Sequence, residues 1–250
     1  MGDGGVDVRA LPPLPEVRPG DDLAALLRAA HPGPFPADAA LVVSHKVVSK
    51  AEGAMVDLRT VEPSPRARQL AAALEKDPAV VEVVLGQTAE VVRARRGVLI
   101  CRTIHGFVAA HAGVDSSNVA PGWVVTLPRD PDASARALRE ALPGRPAVVI
   151  ADSFGRPWRH GQAEVAIGCA GLVALDDRRG ERDREGQELR ATQIAVADQV
   201  AAAADLVRAK EDGRPAVLVA GLARWVTAEH GPGAAVLRRA ADEDLFGADG

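Results

Sequence analysis

The sequence lacks the features that mark several large classes of protein. It contains no apolar run near the roughly 20 residues that a bilayer-spanning helix needs. Its start, MGDGGVDVRA, has no basic-then-apolar leader layout, so no membrane partner and a cytoplasmic location are expected. Lys and Arg are scattered among acids at a formal net charge of −4, with no basic block, which argues against nucleic acid as a partner. There are only two cysteines, Cys101 and Cys169, far apart and without CxxC spacing or a nearby His cluster. Buried free thiols fit them better than a disulfide or a metal site. Neither a Walker-A glycine-lysine motif nor GxGxxG occurs, so any nucleotide would need a site that is neither a P-loop nor a Rossmann crevice. No internal repeat is present.

What is present suits a sizeable core: 250 residues, 47% of them hydrophobic. Short β-branched runs predict strands over 40–48, 80–86, 97–114, 122–128, 147–152, 163–177 and 216–221. Ala/Leu/Arg segments at helical spacing predict helices over 21–30, 64–77, 132–142 and 192–210. Ser64, Asp132 and Thr192 are the expected N-caps, with Pro65 opening its helix. Several strands follow one another directly, so a repeated βαβ order is excluded. The expectation is an α+β fold with mixed or antiparallel sheets and flanking helices, in one unit spanning 1–250, with residues 1–10 disordered. HPGPFPAD (31–38) reads as a stiff loop and DDRRGERDREGQELR (176–190) as an exposed one. The tryptophans read as core or loop packing.

Three stretches could carry chemistry. HGFVAAHAGVDSSNVAPG (105–122) places Asp115, Ser116, Ser117 and Asn118 after an apolar strand. This is either an Asx-type turn closing a hairpin or a set of oxygen ligands for a hard cation and phosphate. AVVIADSFGRPWRHG repeats the layout, delivering Asp152 and Ser153 at a strand end with Arg156 and Arg159 behind them. Carboxylates that hold divalent metals beside arginines suit a nucleotide polyphosphate. The competing reading is a surface ion network of those arginines with Asp152 or Glu164. VVSHKVVSKAEG (42–53) brings Lys46, Ser49 and Lys50 off a strand, as phosphate-binding point charges or as a solvated edge. His105 and His111 read as structural hydrogen-bonding histidines rather than bases.

Taken together, LPEVRPGDDL, VSKAEG, HGFVAAHAGVDSSN, ADSFGRPWRHGQAEVAIG and GQELRATQIAVADQVAAAADLV resemble the coenzyme F-420 gamma-glutamyl ligase family, collinearly from about residue 11 to about residue 246. The resemblance implies a GTP-dependent amide ligase that adds L-glutamate to a deazaflavin coenzyme precursor, with two Mg or Mn ions and a stimulating potassium ion. It implies phosphorylation of the substrate carboxylate by GTP, attack of the glutamate amine on the acyl phosphate, and release of GDP and phosphate. Asp115 and Asp152, together with Arg156 and Arg159 from the reading of the residues themselves, are the expected catalytic residues. Asp115 and Asp152 match metal ligands, and Ser153 stands where the family usually carries Thr. Leu14, Pro15, Glu16, Val17, Lys50 and Asn118 match GTP contacts, and His45 replaces a contacting Ser. The stretch 209–215 occupies the last GTP-binding segment, which makes Lys210 a nucleotide contact and Glu211 a metal ligand. A homodimer is implied, and because the chain ends near DEDLF (242–246), no fused flavin-binding domain and no flavin are expected. The alternatives are a related ligase joining a different carboxylate and amine, and a catalytically silent nucleotide-binding protein.

Overall fold

The computed structural model describes residues 5–240, 243 and 244. The rest of the two termini, including 242, 245 and 246 of the DEDLF stretch, lies outside the described residues. The N-terminal arm expected to be disordered is ordered at its inner end: β1 (Asp7–Ala10) pairs antiparallel with the strand that closes the chain's core sheet.

In chain order the elements after β1 are α1 (Leu23–Ala30), β2 (Ala40–Ser44), α2 (His45–Ala51), β3 (Met55–Asp57), α3 (Pro65–Leu74) and α4 (Pro78–Gly86). They continue with β4 (Thr88–Arg95), β5 (Val98–Thr103), β6 (Val108–Ala110), β7 (Trp123–Val125), α5 (Pro131–Ala141) and β8 (Ala147–Arg156). The chain then runs through β9 (Arg159–Ala170), β10 (Asp176–Asp177), β11 (Gln193–Ile194), α6 (Val196–Asp205) and β12 (Ala216–Ala220). The central sheet has the order β1-β12-β2-β8-β9; β2 and β8 are parallel and every other neighbour is antiparallel. The pairs β3-β7 and β10-β11 and the three-stranded β4-β5-β6 form smaller sheets. The fold is therefore α+β with mixed sheets, as the run of consecutive strands predicts.

Alternation along β2 and β8 builds two cores. Leu41, Val43, Val148 and Ile150 point to one face, where Leu27 of α1 and Ala135 and Leu138 of α5 cover them. Ala40, Val42, Ala147 and Val149 point to the other, under Ala197, Val200 and Ala201 of α6. Burial on both faces is why these strands read as continuous apolar runs. Among the described residues no helix is long and apolar enough to cross a membrane. Cys101 and Cys169 are buried free thiols.

Several local expectations are overturned. The VVEVVLG run, expected as a strand, is helix α4, because Asp77 accepts a hydrogen bond from Ala79 N at 2.7 Å and Pro78 sits at the first turn. Val81 then packs on Ala67 and Ala71 of α3, and that contact outweighs valine's strand preference. The strand expected to Val48 stops at Ser44, where α2 begins. The cap of α5 is Asp130, which accepts from Ala133 N at 2.9 Å; Asp132 instead ties Cys169 N and Ala234 N to the helix start. Thr192 caps nothing, since its carbonyl accepts from Arg178 N beside the β10-β11 ladder and the last long helix opens only at Val196. Ser64 does cap α3, accepting from Ala67 N at 3.2 Å.

Candidate active site

The parallel ladder between β2 and β8 ends where β2 ends, with Ser44 in register with Ala151. Beyond that pair β2 turns into α2, whereas β8 does not end as the sequence suggested but runs on to Arg156 paired with β9 alone, so Asp152 is a strand residue whose β2-side neighbour has peeled away. Carboxyl ends of adjacent parallel strands open a crevice that neighbouring loops can line. Here the crevice is a cavity of about 650 Å³.

Asp115 enters the same cavity from a third segment. Its backbone exchanges two hydrogen bonds with Val125, at 3.0 and 2.9 Å, which pins it beside β7. Its Oδ1 accepts from Ser117 N at 2.6 Å, closing an Asx turn, so the structural reading of this segment holds as well. Its Oδ2 lies 2.8 Å from Lys46 Nζ. Burial alone would raise the pKa of this carboxyl, but Lys46 and the Ser117 N–H together hold it below the ordinary value. Lys46 also donates to Ser117 Oγ.

Lys46 and Lys50 are four residues apart on α2 and therefore share a face. Lys50 is 5% exposed, and its ammonium reaches Glu16 Oε1 at 2.6 Å. The Leu14–Val17 segment that carries Glu16 is held by Leu14 N donating to Gly213 O at 3.0 Å. On the other side Asn118 Nδ2 donates to Lys210 O at 3.3 Å. The 206–215 segment thus spans the cavity mouth, touching both the first loop and the Asp115 loop.

Asp152 is 14% exposed at its side chain and accepts from Ser153 N at 2.8 Å. Its Oδ1 lies 3.2 Å from His45 Nε2, and that ring nitrogen has no aligned hydrogen-bond partner. Ser153 Oγ donates to Glu164 Oε1 at 2.5 Å, and Arg208 Nη2 lies 2.6 Å from Glu164 Oε2. Leu14, Pro15, Glu16 and Val17 line the cavity, as do His45 and Lys50. Asp115, Asn118, Asp152, Ser153, Lys210 and Glu211 complete the set that sequence reading brought forward.

Arg156 and Arg159 are not brought in. They face each other beside the two-residue turn of the β8-β9 hairpin, exposed, and Arg156 Nη2 donates to His160 O at 2.9 Å. The surface network of these arginines with Glu164 does not form either, because Glu164 is taken by Arg208. Trp158, expected to pack, is 81% exposed in that turn. His105 and His111 lie outside the cavity wall. Glu164 and Arg208 are the functional candidates that sequence reading missed, since their contact spans 44 positions, from 164 to 208, and depends on the register of β9.

The sequence profile of the F420-0:gamma-glutamyl ligase family matches residues 13–221. The chain belongs to this family. The ligase-family chain is 44% identical over 252 residues to the coenzyme F420:L-glutamate ligase of Methanopyrus kandleri, covering 97% of this chain and 99% of the relative. To the protein of the same name from Methanothermobacter thermautotrophicus it is 42% identical over 250 residues, with the same 97% and 99% coverage. To that of Haloarcula marismortui it is 41% identical over 225 residues, covering 86% of each. The matched stretch contains both aspartate loops, α2 and the 206–215 segment, so every cavity wall described above belongs to the ligase unit.

Proposed function

We propose that the protein joins the amino group of L-glutamate to the terminal carboxylate of the deazaflavin coenzyme precursor, in a reaction driven by GTP. A carboxylate is a poor acyl donor until one oxygen becomes part of a better leaving group. Transfer of the γ-phosphoryl group to that oxygen gives an acyl phosphate and GDP. The glutamate nitrogen then attacks the acyl carbon, the C–O bond breaks, phosphate departs, and the nitrogen loses a proton. The names of the relatives support the acceptor and the amino acid.

The observation that carries the reading is that Asp115, from a loop, and Asp152, from β8, line one cavity together with Lys46 and Lys50 of α2. Its volume of about 650 Å³ is in the range that takes a ligand of nucleotide size. Lys46 and Lys50 would meet phosphates as point charges, exchanging Asp115 and Glu16 for them.

Asp115, Asp152 and Ser153 supply hard oxygen donors, the chemistry that suits Mg or Mn. Among the described residues no three His, Cys, Asp or Glu side chains gather at one point. A cation held here would therefore complete its shell with the Ser153 hydroxyl, phosphate oxygens and water, which Mg accepts readily. When bound it would neutralise phosphate oxygens. Two such ions with Glu211 as a further ligand, a potassium ion, and a homodimer belong to the same proposal. In it the Leu14–Val17 loop, His45, Asn118 and Lys210 contact the nucleotide.

The test is mass spectrometry of the purified protein with GTP, Mn, L-glutamate and the deazaflavin precursor, against a control without precursor. A one-glutamate mass increment with equimolar GDP is expected. GTP binding without an increment would move the reading to a ligase for another carboxylate, and absence of both would overturn it.

A further inference from the structure

Glu164 is a carboxylate that the ligase reading leaves unused, placed where that reading needs an accurately aimed oxygen. In β9 it stands directly across from Ser153 of β8 and is 5% exposed. A charge at that depth persists only when it is paired or hydrogen-bonded. One oxygen accepts the Ser153 hydroxyl at 2.5 Å; the other sits 2.6 Å from Arg208 Nη2 without an aligned hydrogen bond. Arg208, 8% exposed at its side chain, also reaches Asp205 Oδ1 at 3.5 Å and the Pro215 carbonyl at 3.4 Å. Turning the Glu164 carboxylate away would leave a buried guanidinium short of its counter-charge.

The consequence falls on Ser153. A serine hydroxyl has one proton and two lone pairs, and its rotor follows the best acceptor. Glu164 takes that proton along the strand pair, so the lone pairs are left on the remaining sides of an oxygen whose residue lines the same cavity as Asp152. We propose that Glu164 is a positioning residue for Ser153, fixing the hydroxyl rotor so that a lone pair is presented to a divalent cation shared with Asp152. Arg208 in turn fixes Glu164. This inference rests on the reading that a divalent cation binds at Asp152. Partners that orient a metal ligand typically contribute a factor of about 10–100 in metal affinity.

The experiment is a Mn titration of the full chain, with free Mn followed by its electron paramagnetic resonance signal, and thermal melts run in parallel. The proteins are the unsubstituted chain, Glu164→Gln, Ser153→Ala and the double variant. Glu164→Gln keeps the shape but can turn its NH2 toward Ser153 and release the rotor. It should weaken Mn binding by about tenfold. In the Ser153→Ala background the same substitution should change the Mn constant by less than about twofold, because the residue it acts through is gone. Should Glu164→Gln fail to fold, Glu164→Asp retains the charge for Arg208 while withdrawing the oxygen from Ser153, and the same loss is expected of it. An undiminished Mn affinity in these variants, or an equally large loss in the Ser153→Ala background, overturns the positioning role while leaving the metal site standing. If the unsubstituted chain binds no Mn, the metal reading itself fails and the inference falls with it.

Discussion

Asp152→Asn separates chemistry from architecture, because asparagine keeps the size of the side chain and an oxygen for Ser153 N. What disappears is the negative charge, which lies 3.2 Å from His45 Nε2 and faces the cavity. The folded state loses the charge assistance of one hydrogen bond, about 1 kcal/mol, which for a chain of this size lowers Tm by roughly 2–4 °C. In the proposed reaction, what is lost is a fixed charge where phosphoryl transfer would take place. Removing one such electrostatic partner lowers turnover by about 10²–10³, equivalent to roughly 3–4 kcal/mol of barrier. Initial rates of glutamate addition by mass spectrometry and a thermal melt of the same preparation read both quantities. Turnover within about threefold of the parent would remove Asp152 from the chemistry. A Tm drop above 10 °C would make it part of the scaffold instead, and either result would refute the site as built here.

Lys50→Ala should raise the apparent KM for GTP more than it lowers kcat, as expected when a ground-state phosphate contact is removed; steady-state kinetics at saturating precursor measure the split. Arg156→Ala and Arg159→Ala, at the exposed hairpin turn, should each leave kcat/KM within about threefold, since neither reaches the cavity. A loss above tenfold in the same assay would show that the hairpin tip meets an active site, such as that of a second copy. Gly168→Ala puts a Cβ 2.3 Å from Pro131 O, a backbone atom that cannot swing aside. An overpacking cost of about 2 kcal/mol, seen as a Tm lower by roughly 4–8 °C, is expected. Burial pushes the Cys169 thiol up to about 12 and raises that of Cys101 as well, so both thiols should resist a disulfide reagent at pH 8 until the chain is denatured. Because the folded protein holds these protons more tightly than the unfolded chain, stability is intact below pH 9 and falls as pH climbs above it, which urea melts at pH 8 and pH 10 would register.

The central sheet was legible because β2, β8 and β12 are buried on both faces and so read as unbroken apolar runs bounded by turn residues. The two acidic residues were legible because each follows an apolar run in the sequence, although Asp115 comes only after a turn beyond β6 and β8 carries on past Asp152 to Arg156. Helix α4 was not legible from composition, since its valines favour strands and only the Asp77–Pro78 cap announces a helix. The Glu164–Arg208 contact could not be read at all. It depends on the register of β8 against β9, which sets Glu164 opposite Ser153, and on where α6 ends, which sets the reach of Arg208.

The arginines behind Asp152 show how closeness along a chain misleads. An extended strand advances about 3.3 Å per residue, so Arg156 is carried roughly 10 Å beyond Ser153 before the hairpin turns. The return strand then brings Glu164 back to Ser153 while leaving Arg159 at the far end with Arg156. A positive charge near the Asp152 loop must consequently come from another part of the chain, and the structure supplies it through Arg208, at the exit of α6, and through Lys46 and Lys50 on α2. Two of these three cations already hold an acid of the cavity wall other than Asp115 or Asp152. Lys46 alone is paired with a proposed metal ligand, so entry of a divalent cation at Asp115 should free its ammonium for a phosphate oxygen and couple the binding of metal to that of nucleotide.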